Sequence, residues 1–140
     1  MSSSLEPIRH ILRSQTRTIT TQTPTNQTFT LPSGRALGYR QVGTPTGTPL
    51  LYFHGYPSSR LEVDAAHALA LKHNIRLIAL ERPGYGISTP QPGRTILSFS
   101  DDVQAFASGM GLARFGVLGL SGGGPFAVAC AYALPRGMLT

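Results

Sequence analysis

From Thr28 onward, apolar runs and helical stripes follow one another in regular order. Thr28–Leu31 and Ala36–Val42 alternate as short strands around Pro32-Ser33-Gly34, which predicts a hairpin. Gly43–Pro49, with two prolines and two glycines, is a loop. Leu50-Leu51-Tyr52-Phe53 is continuously apolar, the pattern of a strand buried on both faces. Ser59 to Asn74 predicts a helix, with Leu61, Ala65, Ala68, Leu69 and Lys72 at the 3.6 period. Arg76–Leu80 is a second buried strand, ending at Glu81-Arg82-Pro83-Gly84. Ser98 to Met110 predicts a helix with Asp101 and Asp102 in its first turn, where the helix dipole favours acids. Phe115–Leu120 is a third core strand, and Gly122–Leu134 a helix ended by Pro135 and Gly137. After the hairpin, strands alternate with helices, which argues an α/β class with a parallel sheet. No internal repeat occurs.

Residues 1–27 break this pattern. They are rich in Ser, Thr and Gln and hold one acid, Glu6. Leu5, Ile8, Ile11 and Leu12 recur at helical spacing beside Arg9, Arg13 and Arg17. We read 1–27 as a flexible tail and 28–140 as the folded domain; the alternative is a mitochondrial targeting segment, which such an Arg-rich, acid-poor start resembles. No secretory apolar region is present, so a cytoplasmic protein is expected and the sequon Asn26-Gln27-Thr28 is expected to stay unmodified.

Composition narrows the class. Of the 140 residues, 41% are hydrophobic and 13% charged, as in a soluble globular domain. No apolar stretch is long enough to span a membrane. The single cysteine, Cys130, lies in an apolar run and reads as a small buried hydrophobe. The net charge of +6 comes mostly from arginines scattered singly, with no basic run and no aromatic–basic interleaving, so no nucleic-acid partner is expected.

Gly119-Leu120-Ser121-Gly122-Gly123 is G-x-S-x-G placed between a strand and a helix. A serine on so sharp a turn is held in a strained backbone conformation with its Oγ above the sheet. Gly119 and Gly123 remove side chains that would collide. The helix starts beneath the serine, with its free N–H groups facing any negative charge that forms, and Pro125 falls in the first turn without losing a hydrogen bond. The competing reading is a nucleotide-binding glycine turn, but the phosphate-loop lysine and a placed dinucleotide fingerprint are missing.

Two further motifs accompany the serine. His54-Gly55-Tyr56-Pro57 follows the first core strand, and Glu81-Arg82-Pro83-Gly84-Tyr85-Gly86-Ile87-Ser88 follows the second. The first resembles the H-G-x-P loop of α/β-hydrolases, and the second their D-x-x-G-x-G-x-S loop, with Glu81 where aspartate is usual. With Ser121 in third place, the resemblance covers about residues 28–140. It implies an α/β-hydrolase fold, a mostly parallel sheet with helices on both faces. It also implies Ser121 as nucleophile and the backbone N–H groups of Tyr56 and Gly122 as oxyanion hole. His54, Gly55, Gly119 and Gly123 would support the loop and elbow; His54 would organise its loop and not act as base. The Tyr56 ring has a second available role as a lid over the pocket.

In this family the triad runs nucleophile, acid, histidine along the chain. Gly122 to Thr140 contains no Asp, Glu or His. The resemblance therefore implies an incomplete copy, truncated after the nucleophile helix and inactive alone. The expected activity of the whole is a serine hydrolase acting through an acyl-enzyme on an ester-like small-molecule substrate, with no cofactor and no metal. An aspartate at position 121 would instead have pointed to epoxide or haloalkane hydrolysis. The alternative is a non-catalytic binding module that keeps the pocket without the chemistry.

Overall fold

The computed structural model describes residues 23–140. The helix-spaced stripe Leu5–Leu12 and its three arginines, on which the targeting alternative rests, lie outside the described residues.

β1 (Gln27–Thr30) and β2 (Ala36–Gly43) form the expected antiparallel hairpin. Its turn is closed by Gly34 N–H donating to Leu31 O at 2.8 Å, with Gly34 at φ 81°, where a Cβ would be strained. β3 (Thr48–Phe53), β4 (Ile75–Leu80) and β5 (Gly116–Gly119) run parallel to one another. The five strands make one mixed sheet in the order β1-β2-β4-β3-β5. Side chains alternate faces along the central strands. Leu51, Phe53, Ile78 and Leu80 join one core, while Tyr52, Leu77 and Ala79 join a second on the opposite face.

The larger core lies under α2 (Phe99–Gly109) and α3 (Gly124–Ala133). Phe53, Phe99 and Phe126 meet edge to face, at 5.4 and 5.5 Å between successive rings, and join strand to both helices. Asp102, in the first turn of α2, also receives a two-pronged Arg35 from the hairpin turn.

The segment between β3 and β4 differs from the single helix that the 3.6 period predicts. Arg60–Ala66 is a 3-10 segment, followed by α1 (His67–Lys72), and Asn74 turns the chain at φ 52°. Leu61 and Leu69 of the predicted stripe are 44% and 61% exposed, whereas Arg60, Val63 and Ala70 are buried. Three residues per turn put Arg60, Val63 and Ala66 on one face, and the α-helical step of four then adds Ala70. The tighter winding is fixed from outside, because the buried Arg60 guanidinium pairs with Glu81 Oε1 at 2.7 Å.

After α3 the chain returns to the sheet, where Leu139 pairs in parallel with Phe115 through bonds of 2.9 and 3.1 Å. Toward Gly119 the outer edge of β5 has no neighbouring strand among the described residues, and Leu118 and Leu120 are half exposed. The carboxyl ends of β3, β4 and β5 run directly into His54, Glu81 and Leu120-Ser121. This is the end of a parallel sheet at which open α/β folds form their clefts.

Candidate active site

Ser121 follows β5 and opens the 3-10 turn Ser121–Gly123 that leads into α3. Its φ is 47°, a left-handed conformation that a side chain adopts only under external constraint, and its side chain is exposed. The constraint is steric and backbone-borne. A Cβ on Gly119 would lie 2.4 Å from Gly123 O, and one on Gly123 only 2.0 Å from Phe53 O. Leu120 N–H donates to Phe53 O at 3.1 Å, which ties the elbow to the end of β3.

The same closeness brings the two glycine motifs together. A Cβ on Gly55 would lie 3.7 Å from Ser121 Cβ. A Cβ on Gly122 would lie 3.2 Å from Tyr56 Cβ and 3.5 Å from Tyr56 N, so Gly122 and Tyr56 border one small space beside Ser121. Tyr56 is 73% exposed.

Beneath this space the H-G-Y-P loop is held by buried charge. Arg82 Nη1 donates to His54 O at 2.6 Å and Nη2 to Gly55 O at 3.2 Å. Glu62 Oε2 accepts from Gly55 N–H at 3.0 Å, and burial, reinforced by that carboxylate, pushes the Tyr52 hydroxyl up to about 12. His54 Nδ1 lies 2.8 Å from Gly55 O, which places its proton on Nδ1, and its ring packs on Tyr85. Burial holds His54 below its ordinary value, because the charged ring would lose its hydration; the Gly55 carbonyl opposes this in part.

Glu81 is wholly buried and acts as a hub. Its carboxylate accepts from Ile87 N–H at 2.8 Å and from Arg60, while Ser88 Oγ donates to Glu81 O. Cβ atoms on Gly38 and Gly86 would come within 2.5 Å of that carboxylate. Those two glycines make room for an acid one methylene longer than aspartate.

A family model of the alpha/beta hydrolase fold matches residues 48–138. The chain belongs to the α/β-hydrolase family. It is 33% identical over 98 residues to a non-heme chloroperoxidase of Streptomyces lividans, covering 69% of this chain and 36% of that one. It is 33% identical over 97 residues to a bifunctional esterase/perhydrolase of Acinetobacter calcoaceticus, covering 68% and 35%. Among solved structures, an esterase of Thermogutta terrifontis superposes with a TM-score of 0.70 at 29% identity, covering 83% of this chain and 43% of that one. This α/β-hydrolase chain thus spans about a third of the length of the curated relatives it matches.

Within this α/β-hydrolase domain the motif residues of all three loops converge: His54, Gly55 and Tyr56 from the first, Glu81 and Arg82 from the second, Gly119 to Gly123 from the third. His67 and His73, on and just after α1, lie outside the converging loops. Glu62 carries no sequence signal, since it sits in a segment that reads as an ordinary amphipathic helix. Arg82 was visible inside its motif, but its service to another loop was not. Cys130 is fully buried, and burial pushes its thiol up to about 11, in keeping with a packing role. No cluster of metal-ligating side chains occurs among the described residues, and none of their helices is long and apolar enough to cross a membrane.

Proposed function

We propose that this chain carries the nucleophile and oxyanion hole of a serine hydrolase acting on ester-like small molecules. The observation that carries the reading is Ser121 at φ 47°, exposed on a strand-to-helix turn, with Gly122 packed against Tyr56 beside it. The Oγ attacks the substrate carbonyl carbon; the π pair moves onto the carbonyl oxygen, where the two N–H groups receive it. The serine proton passes to a general base and then to the leaving alkoxide. Water next attacks the acyl-enzyme, releasing the acid and returning the proton to Ser121. The buried, Nδ1-protonated His54 shapes the loop in this reading and is not the base. The names of the Acinetobacter esterase/perhydrolase and the Thermogutta esterase agree with the substrate class.

A fluorophosphonate probe tests it, applied to a longer chain that also supplies the triad acid and histidine. Attack of Ser121 Oγ on phosphorus forms the P–O bond, fluoride leaves, and the proton goes to solvent. A stoichiometric adduct mapped to Ser121 by peptide mass, and absent from Ser121→Ala, is the expected result. Equal labelling of both proteins would replace the hydrolase reading with that of a binding module.

A further inference from the structure

We propose that Arg82 is a positioning residue that aims the Tyr56 N–H at the oxyanion. A trans peptide is planar, so its C=O and N–H point in opposite directions and fixing one end fixes the other. In the 54–55 peptide, the oxygen accepts from Arg82 Nη1 at 2.6 Å and the Gly55 N–H donates to Glu62 Oε2 at 3.0 Å. Both ends of that plane are held, by a cation on one side and an anion on the other. In the 55–56 peptide, the oxygen lies 3.2 Å from Arg82 Nη2 and 2.8 Å from His54 Nδ1. Its opposite end is the Tyr56 N–H, which has no hydrogen-bond acceptor among the described residues. The direction of that free donor is therefore set from behind, through its own peptide plane.

The chemistry of Arg82 suits the task. It is 2% exposed, and no carboxylate lies within ion-pair distance of it among the described residues. Its guanidinium instead lies between the rings of Tyr85 and Phe126, at 4.8 and 4.9 Å. A buried cation without a carboxylate is costly, and here carbonyl dipoles and ring faces offset the cost. A cation on a carbonyl also polarises the peptide, which makes the N–H at its far end a stronger donor. Lysine cannot substitute fully, because only a planar fork reaches both carbonyls at once.

The purpose of the donor rests on the hydrolase reading; the way it is held does not, and two measurements separate them. The first is the residual dipolar coupling of the Tyr56 N–H in the isotope-labelled chain, which reports orientation without any ligand. The second is the rate of fluorophosphonate labelling of Ser121 in a longer chain that also supplies the triad acid and histidine. Arg82→Met is expected to change the coupling and to slow labelling roughly ten- to a hundredfold, with Arg82→Lys between it and wild type. An unchanged coupling in Arg82→Met overturns the proposal, whatever the rate does. If Arg82→Met does not fold, Arg82→Lys decides alone, and wild-type coupling and rate in it overturn the proposal. If wild type itself gives no Ser121 adduct, the hydrolase reading falls, and the coupling still decides whether Arg82 holds the amide.

Discussion

Glu81 and Arg60 meet at 2.7 Å with side chains 0% and 6% exposed, so an ion pair 21 residues apart in the chain is sealed inside the domain. Each partner does a second job. Glu81 gathers the loop after β4, and Arg60 donates to Thr25 O and Asn26 Oδ1, pinning the chain that enters β1. Removing one partner leaves the other charge buried, a loss of about 3–5 kcal/mol where such pairs have been broken. Glu81→Gln is therefore expected to lower the urea unfolding free energy by about 3 kcal/mol. A change under about 1 kcal/mol would show that water reaches Arg60.

The elbow glycines are expected to tolerate no methyl group, while their neighbour does. A Cβ on Gly123 would press on the backbone oxygens of Phe53 and His54 at 2.0 and 2.9 Å, whereas one on Gly124 would meet nothing within 4 Å. Overpacking against backbone has no flexible atom to move, so Gly123→Ala should cost about 3 kcal/mol or more. Gly124→Ala should be neutral or stabilise by up to about 1 kcal/mol, since Gly124 already has helical φ and alanine narrows the unfolded ensemble. Equal melting temperatures for the two variants would contradict the steric account.

His54 predicts a pH signature. Its folded pKa lies below the ordinary 6.5, because burial disfavours the charged ring. Below about pH 6.5 the unfolded chain therefore binds more protons than the folded one, and stability falls as pH falls. The contribution is complete above pH 6.5 and is lost downward through the folded pKa. Urea midpoints measured from pH 7.5 to 5.5 should decline in wild type and decline less in His54→Gln. Parallel curves would mean that His54 titrates alike in both states.

Residues 1–140 alone are expected to give no sustained ester turnover, because a serine hydroxyl is a poor nucleophile without a base. His54 is buried and held with its proton on Nδ1, and Gly122–Thr140 contributes no His, Asp or Glu. Hydrolysis of p-nitrophenyl acetate should match that of Ser121→Ala. Turnover that disappears in that variant would mean that a base is present and that His54 has been misassigned. The same chain exposes Val128 and Tyr132 on α3, 69% and 82% accessible, beside the open edge of β5, so binding of an apolar dye is expected in that assay.

What the sequence determined by itself is local. The Pro32-Ser33-Gly34 turn, the helical span from Ser98 to Met110 and the glycines flanking Ser121 each follow from rules acting over a few residues. The structure places these elements within a residue or two of the predicted spans. The α/β-hydrolase fold was legible for the same reason, since three such local motifs stood in the right order. The tertiary structure alone decided how distant residues meet. β4 lies between β2 and β3, and with that placement Arg82 comes to lie under His54 and Gly55, 28 and 27 positions earlier. Likewise the periodicity of Leu61 and Leu69 promised a buried stripe, but the Arg60–Glu81 pair wound the chain as a 3-10 segment and turned that stripe to solvent. Hydrophobic period carries information over one or two turns of chain. A buried charge seeks its partner through space, and for that partner the sequence holds no local mark.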